Sequence, residues 1–244
     1  MDQLSKKVAV VTGGSRGIGL AISEKLIAEG CHTVVSGRST DALSHASDHL
    51  ANHVSESSSG RFHIEQADVR LEGDVRRLLA VAEDSFGGLD ILINNAGVGL
   101  FGEVSGQAVG DWNQVIDTNL TGVFLTCREA VPLMRKRGGG WIVNISSLAG
   151  SHPFAKGAAY CASKAGLDAF TVSLMQELRF DGIRVTVVAP GSVSTDFADG
   201  GRHAAEPWKL TASDVAQTVV DVLHHDSRSL PSRVEIRPSK PGRS

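Results

Sequence analysis

Cysteine is scarce in this chain: Cys31, Cys127 and Cys161 are the whole complement. They are an odd number, far apart and without Cys-x-x-Cys spacing, so a disulfide framework and a cysteine-held zinc site are both excluded and reduced thiols are expected. Long apolar runs are missing too. The polar residues 1–7 lead only into Val8, Ala9, Val10 and Val11, far short of the ~18 residues of a membrane span, which points to a soluble, cytoplasmic protein with no membrane partner. Nor is there an excess of positive charge. A formal net charge of −3 and a pI near 6.3 argue against a surface built to neutralise phosphates, and so against nucleic acid as a partner. The late basic residues Arg233, Arg237, Lys240 and Arg243 are interrupted by Pro238 and Pro241 and read as a solvated stretch that ends in a tail over 238–244. Tyrosine occurs once, at Tyr160, so any chemistry that needs a phenol has a single address.

What the chain does have is enough apolar content, 41% of 244 residues, to bury one substantial core, and a single domain spanning 1–244 is expected. β-rich runs at 7–12, 33–36, 62–67, 89–94, 141–146, 184–189 and 233–236 alternate with helical periodicity. The runs at 8–11, 91–93 and 185–188 are nearly continuous in apolar residues, as strands buried on both faces require, with Gly and Asn gathered at their ends. The fold class expected is therefore α/β: a Rossmann-like, doubly wound parallel sheet of about seven strands with helices on both faces and ligands beyond the carboxyl ends of the strands. No internal repeat is present, and the Ser-rich stretch 55–60 reads as a surface loop.

Tyr160 stands four positions before Lys164 among good helix formers, so one helical turn brings both side chains out on the same face. An ammonium beside a phenol favours the phenolate and lowers its pKa from the usual value of about 10, and the pair reads as a tuned acid/base. At the first strand-to-helix turn, Thr12-Gly13-Gly14-Ser15-Arg16-Gly17-Ile18-Gly19 spaces Gly13, Gly17 and Gly19 as G-x-x-x-G-x-G. Backbone N–H groups there, with the start of a helix over 18–28, are suited to cradling a pyrophosphate. At the end of the second strand, an acid would accept from the ribose hydroxyl of a cofactor lacking a 2′-phosphate. This chain instead has Arg38, with Ser39 alongside and Arg16 in the glycine turn. A guanidinium fork suits a phosphate, so NADP(H) is expected over NAD(H).

These residues, with Asp68-Val69, Asn94-Asn95-Ala96-Gly97, Asn119, Ile145-Ser146-Ser147 and Pro190-Gly191, stand in the order and rough spacing of the short-chain dehydrogenase/reductases. Over residues 8–197 the chain resembles the short, single-domain branch of that family, with its 3-ketoacyl-ACP reductase-like and carbonyl reductase-like members. The resemblance implies an NADP(H)-dependent oxidoreductase that moves hydride between nicotinamide and a carbonyl or secondary alcohol. It makes Tyr160 the general acid/base, and Lys164 the ammonium that tunes it and bonds the nicotinamide ribose. It makes Ser147 a donor to the substrate oxygen, with Ser146 the competing hydroxyl, and Asn119 a helix-interrupting residue that holds a water linking the lysine to solvent. For the cofactor it implies Gly13, Ser15, Arg16, Gly17, Ile18 and Gly19 in the turn, Arg38 and Ser39 at the second strand, and Asp68 and Val69 at the adenine. Asn94, Ala96 and Gly97 would line the cleft, with Asn95 read as structural, while Tyr160 and Lys164 meet the ribose. Pro190, Gly191, Val193 and Thr195 would hold the nicotinamide amide. Where related ketoacyl-thioester reductases place Asp-Gly-Gly in the last strand region, this chain has Arg233-Val-Glu-Ile-Arg-Pro.

Specificity is expected from loops at 98–102, 148–154 and 196–210, whose Phe101, His152, Phe154, Phe197 and Trp208 suggest a mainly apolar pocket for a ring or a short acyl chain. His45, His49 and His53 recur every four residues on the predicted third helix, but with no cysteine beside them they read as a solvated face, and no metal is expected. Two other function classes share the fold. A non-catalytic NADP(H)-binding sensor or scaffold has no need of Ser147, Tyr160 and Lys164 together, and a nucleotide-sugar epimerase or dehydratase normally requires a longer chain. By resemblance, helices around 112–135 and 158–179 pack against symmetry mates, giving a homodimer or homotetramer that acts on a small-molecule carbonyl or alcohol.

Overall fold

The computed structural model describes residues 4–53, 60–195, 197 and 206–240. Most of the Ser-rich stretch 55–60, most of the loop 196–210, the side chain of His53 and the tail beyond 240 lie outside the described residues. The chain runs β1 (Val8–Val11), α1 (Gly17–Ala28), β2 (His32–Gly37), α2 (Thr40–His53), β3 (Phe62–Gln66), α3 (Glu72–Phe86), β4 (Ile91–Asn94), α4 (Val109–Ile116), α5 (Gly122–Lys136), β5 (Gly140–Ile145), α6 (Ala158–Leu178), β6 (Ile183–Pro190), α7 (Ala212–Leu223) and β7 (Arg233–Ile236). The histidine-bearing helix is thus the second, not the third. On it, His49 meets Glu24 at 3.2 Å.

All seven strands pair in parallel, in the order β3-β2-β1-β4-β5-β6-β7. The order reverses between β1 and β4, so their outgoing loops part and leave a crevice at the carboxyl edge, where such sheets bind ligands. Side-chain alternation explains why these strands must be apolar on both faces. Val8, Val10 and Leu92 enter the core beneath α3, α5 and α6 with Leu78, Met134 and Leu167. Ala9, Val11, Ile91 and Ile93 enter the core beneath α1 and α7 with Ile22, Leu26 and Val219. Each fully buried Leu, Ile or Val is worth about 1.5–3 kcal/mol, so both faces of the sheet are anchored without help from the carboxyl edge.

The helix boundaries decide what reaches that edge. α3 stops at Gly87, whose φ of 83° is the left-handed conformation glycine adopts freely. The long helix expected around 112–135 runs without a gap over 109–136, and residues 117–121 form one wide π turn inside it that sets Asn119 between α4 and α5. Arg233, expected in a solvated stretch, is instead a tie. Its guanidinium donates to Asp168 of α6 at 2.7 Å and to the Ser151 hydroxyl at 2.6 Å, because β7 passes directly beside both. Among the described residues no helix is long and apolar enough to cross a membrane.

Candidate active site

The carboxyl ends of β1, β4, β5 and β6 open onto one cleft of about 470 Å³. At its β1 end the surface is main chain. Gly13 and Gly17 hold φ of 63° and 55°, and a β-carbon on Gly19 would stand 2.3 Å from the Gly13 carbonyl oxygen. The turn is braced from β4. Asn95 Nδ2 donates to the Thr12 and Gly13 carbonyls at 3.0 and 2.9 Å, while Thr12 Oγ1 accepts from the Asn95 and Ala96 amides, each at 3.1 Å. α1 then begins with no side-chain cap and no acidic residue in its first turn, which leaves first-turn N–H groups and the positive dipole end for an anion. The start of α7 is the opposite case, closed by a reciprocal capping box between Thr211 and Asp214.

The fit to a phosphorylated ligand continues along the cleft. Arg16 and Arg38 line it, are exposed, and have no ion-pair or side-chain hydrogen-bond partner among the described residues. Arg77, Arg128, Arg135 and Arg233, by contrast, are all tied to carboxylates. Past β3, Asp68 and Val69 form the wall. Arg70 grips the Asp68 carboxylate through Nη2 at 2.5 Å and Nε at 3.0 Å, and holds its carboxyl below the usual carboxylate range. An open helix start, a glycine-rich turn and two uncommitted guanidinium groups on one cleft are donors of the kind a dinucleotide phosphate chain requires.

At the other end of the cleft the lining is made of polar side chains, Ser147, Tyr160 and Lys164. Ser147 follows β5 in extended backbone, and its hydroxyl accepts from the Ala149 amide at 3.1 Å. Ser146, one residue earlier, is buried with its Oγ unpartnered, and both serines line the cleft. Tyr160 and Lys164 leave α6 one turn apart. Lys164 is 4% exposed and donates to the Ile145 carbonyl at 2.8 Å, with Nζ 5.9 Å from the centre of the Tyr160 ring.

Burial pulls the Lys164 ammonium down to about 8, and Asp168, one turn further along α6, opposes that shift. The expected acidification of Tyr160 by its neighbour is not found. Burial pushes the phenol up from its ordinary value, and the Ser147 hydroxyl pulls it down by less. The reason is geometric: the ammonium is committed to the Ile145 carbonyl, while the phenolate form would have lost most of its water. At neutral pH, Tyr160 therefore keeps its proton.

Asn119 is fully buried and acts as a strut. Its Oδ1 accepts from the Val98 amide at 2.8 Å, and its Nδ2 donates to the Val98 carbonyl at 2.9 Å and to Ser163 Oγ at 3.0 Å. Ser163 in turn donates to the Tyr160 carbonyl at 2.7 Å. The loop after β4 is thus tied to the turn of α6 that carries the phenol.

Every expected site residue lines the cleft except Gly19, Asn94 and Asn119. Gly19 packs behind the turn. For Asn94 and Asn95 the expectation is reversed: Asn95 lines the cleft, whereas Asn94, 2% exposed, lies inside the sheet, donating to Asn144 at 2.8 Å and accepting from Thr126 at 2.6 Å. Side-chain alternation at the end of β4 turns only one of the two outward. Thr118 and Lys209 also line the cleft and were missed. The Thr118 hydroxyl is buried without a partner, and its place beside Asn119 is the only hint the sequence offers. Lys209 sits in an irregular loop that carries no motif. The three cysteines are buried and outside any disulfide, and burial pushes Cys127 up to about 12, which leaves it inert.

A family model described as short chain dehydrogenase matches residues 7–206. An uncharacterized oxidoreductase of Staphylococcus epidermidis is 34% identical over 238 residues, spanning 98% of this chain and 100% of the relative. One of Staphylococcus aureus is 33% identical over the same shares. Three solved structures are similar in fold. The closed form of a serine dehydrogenase complexed with NADP+ has a TM-score of 0.83 and 31% identity, covering 94% of each chain. A metagenomic short-chain oxidoreductase in complex with NADP has a TM-score of 0.83 and 34% identity, covering 98% of this chain and 100% of the other. A variant actinorhodin polyketide ketoreductase with NADPH has a TM-score of 0.86 and 30% identity, covering 97% of each.

Proposed function

The chain belongs to the short-chain dehydrogenase family and is an oxidoreductase, and from that premise we propose that it transfers hydride between NADP(H) and a carbonyl compound or secondary alcohol, with Tyr160 as general acid and base. One observation carries the proposal. A protonated phenol and a serine hydroxyl share a cleft with an uncapped helix start and two uncommitted arginines. When bound, NADPH supplies the hydride, two electrons and a hydrogen nucleus, to the carbonyl carbon and is oxidised to NADP+.

The protein's own groups handle the rest. Tyr160 Oη gives its proton to the substrate oxygen, and the Ser147 hydroxyl donates to the same oxygen as negative charge grows there. Lys164 contributes a positive charge beneath the ring, and Asn119 fixes the turn on which Tyr160 rides. Arg38 and Arg16 recognise the 2′-phosphate of NADP(H). The buried thiols support a reducing, cytoplasmic setting. The exposed Trp112, Phe124 and Val172 on α4, α5 and α6 support assembly as a homodimer or larger, which light scattering in solution measures.

The test is consumption of NADPH by a panel of ketones and aldehydes, followed by loss of reduced-nicotinamide absorbance. A sensor or scaffold of this fold consumes none, and an epimerase shows no net change in absorbance. The pH profile adds a second check. Lys164 is charged below about pH 8 and neutral above it, so carbonyl reduction should hold its rate at neutral pH and fall as pH passes about 8. Alcohol oxidation needs the phenolate and should rise with pH over the same range. A reduction rate flat through pH 9 would remove the ammonium from the account.

A further inference from the structure

Asp168 does not line the cleft, yet it is packed into the structure behind it. It stands on α6 one turn beyond Lys164, as Tyr160 stands one turn before, so the three side chains follow one stripe of the helix. Its carboxylate is 15% exposed and only half engaged. Oδ2 accepts from Arg233 Nη1 at 2.7 Å, whereas Oδ1 is buried with no hydrogen-bond partner. A tie between β7 and α6 needs only an acceptor, which a neutral amide would supply at a lower cost of desolvation. The formal negative charge is what the tie leaves unexplained.

That charge is held in place. Arg233 also donates through Nη2 to Ser151 Oγ at 2.6 Å and through Nε to Glu235 at 3.3 Å, so its guanidinium is fixed by three partners. Ser151 closes the short turn that starts at Ser147, and this turn lies directly on α6. A β-carbon on Gly150 would stand 2.6 Å from Asp168 Oδ2 and 3.1 Å from the Lys164 carbonyl oxygen. The same contacts thus seat Ser147 against the helix that carries Tyr160 and Lys164.

Lys164 is 4% exposed, and its Nζ donates to the neutral Ile145 carbonyl. Among the described residues, Asp168 is the one carboxylate that opposes the effect of burial on the ammonium. The other titratable groups near the pair are Tyr160 and Cys161 on α6 and Arg233 and Glu235 on β7. Asp111 of α4 and His152, next to Ser151, are exposed, and Asp117 of the π turn acts on Arg70. β5 carries no charged residue, Arg184 of β6 lies over Trp141, and Lys209 on the cleft pairs with Glu206.

Resting on the hydride-transfer reading, we propose that Asp168 is a positioning residue of the reaction: its fixed negative charge, one turn beyond Lys164, keeps the buried amine protonated and seated on the Ile145 carbonyl beneath Tyr160. The carboxylate touches neither substrate nor cofactor and acts only through the lysine. In the interior an opposite charge one helical turn away is felt more strongly than in water, because little solvent screens it.

The experiment follows the 13C signal of the Lys164 ε-carbon as pH rises, in the natural protein and in Asp168→Asn, each alone and with NADP+. Lys164→Gln identifies the signal by its loss. Asparagine keeps the shape and still accepts from Arg233. The midpoint, about 8 in the natural protein, should fall by about one pH unit in Asp168→Asn. The pH above which ketone reduction declines should fall with it, a change that loosened packing alone would not produce. Should Asp168→Asn not fold, the double variant Asp168→Leu, Arg233→Leu removes both charges together, and its midpoint should also fall. An unchanged midpoint, or a lowered midpoint that leaves the rate profile where it was, overturns the role of Asp168 while ketones are still reduced. No consumption of NADPH by any ketone in the natural protein overturns both this role and the hydride-transfer reading.

Discussion

At the β1 end of the cleft a methyl group added to Gly13 or Gly19 would meet main-chain atoms at 2.8 and 2.3 Å, while at the β5–α6 end Ser147, Tyr160, Lys164 and Asn119 are placed by side-chain contacts. The two ends are made of different material, and the difference follows from what each must do. A phosphate chain is recognised by many N–H groups of fixed direction, which a glycine turn and an open helix start supply without regard to side chains. A proton is moved by one group at one place, so the other end depends on residue identity and on the struts that hold it. The contrast between α1 and α7, packed on the same face of the sheet, makes the same point. α7 is closed by Thr211 and Asp214, whereas α1 starts on the cleft with no side-chain cap.

That contrast can be broken at either end, and the largest effect belongs to the side chains. Tyr160→Phe should lower carbonyl reduction by roughly 10²–10⁴-fold with the fold and NADPH affinity kept, as steady-state kinetics and fluorescence titration would show. An equal loss of cofactor binding would mean that the phenol serves the main-chain end instead. Next comes the charged edge of the nucleotide end. Arg38→Asp should reduce the NADPH over NADH ratio of kcat/KM by about 10–100-fold, since a charge-assisted contact becomes a repulsion; an unmoved ratio would return Arg38 to an ordinary surface charge.

Gly19→Ala acts on the backbone itself. The new methyl would overlap Gly13 O and Asn95 Nδ2, so a loss of about 1–3 kcal/mol is expected together with weaker NADPH binding, read from a thermal melt and a titration. Smallest is Thr211→Ala, which removes the cap of α7 at a cost of about 1 kcal/mol, or roughly 2–4 °C in Tm, with kinetics unchanged. If Thr211→Ala altered NADPH affinity, the division between a helix start kept for stability and one kept for a ligand would fail.

The glycine spacing, the Tyr160 and Lys164 pair and the seven apolar runs were legible before any coordinates, because each is a local pattern. A turn that only glycine fits, a one-turn offset on a helix and a strand buried on both faces all leave their mark in consecutive residues. Contacts between distant segments leave no such mark. Nothing in the sequence near 94 and 95 says which asparagine turns outward. Nothing near 233 shows that Arg233 reaches Asp168, 65 positions away.

By itself, then, the sequence determined the parallel sheet, the glycine turn and the one-turn offset of Tyr160 and Lys164, since propensity and spacing act over a few residues. The tertiary structure alone decided that Lys164 is committed to the Ile145 carbonyl, that the phenol keeps its proton at neutral pH, and that Phe101 and Phe197 pack against its ring. Burial, hydrogen-bond partners and ring contacts are properties of groups brought together from far along the chain, and only the folded packing fixes them.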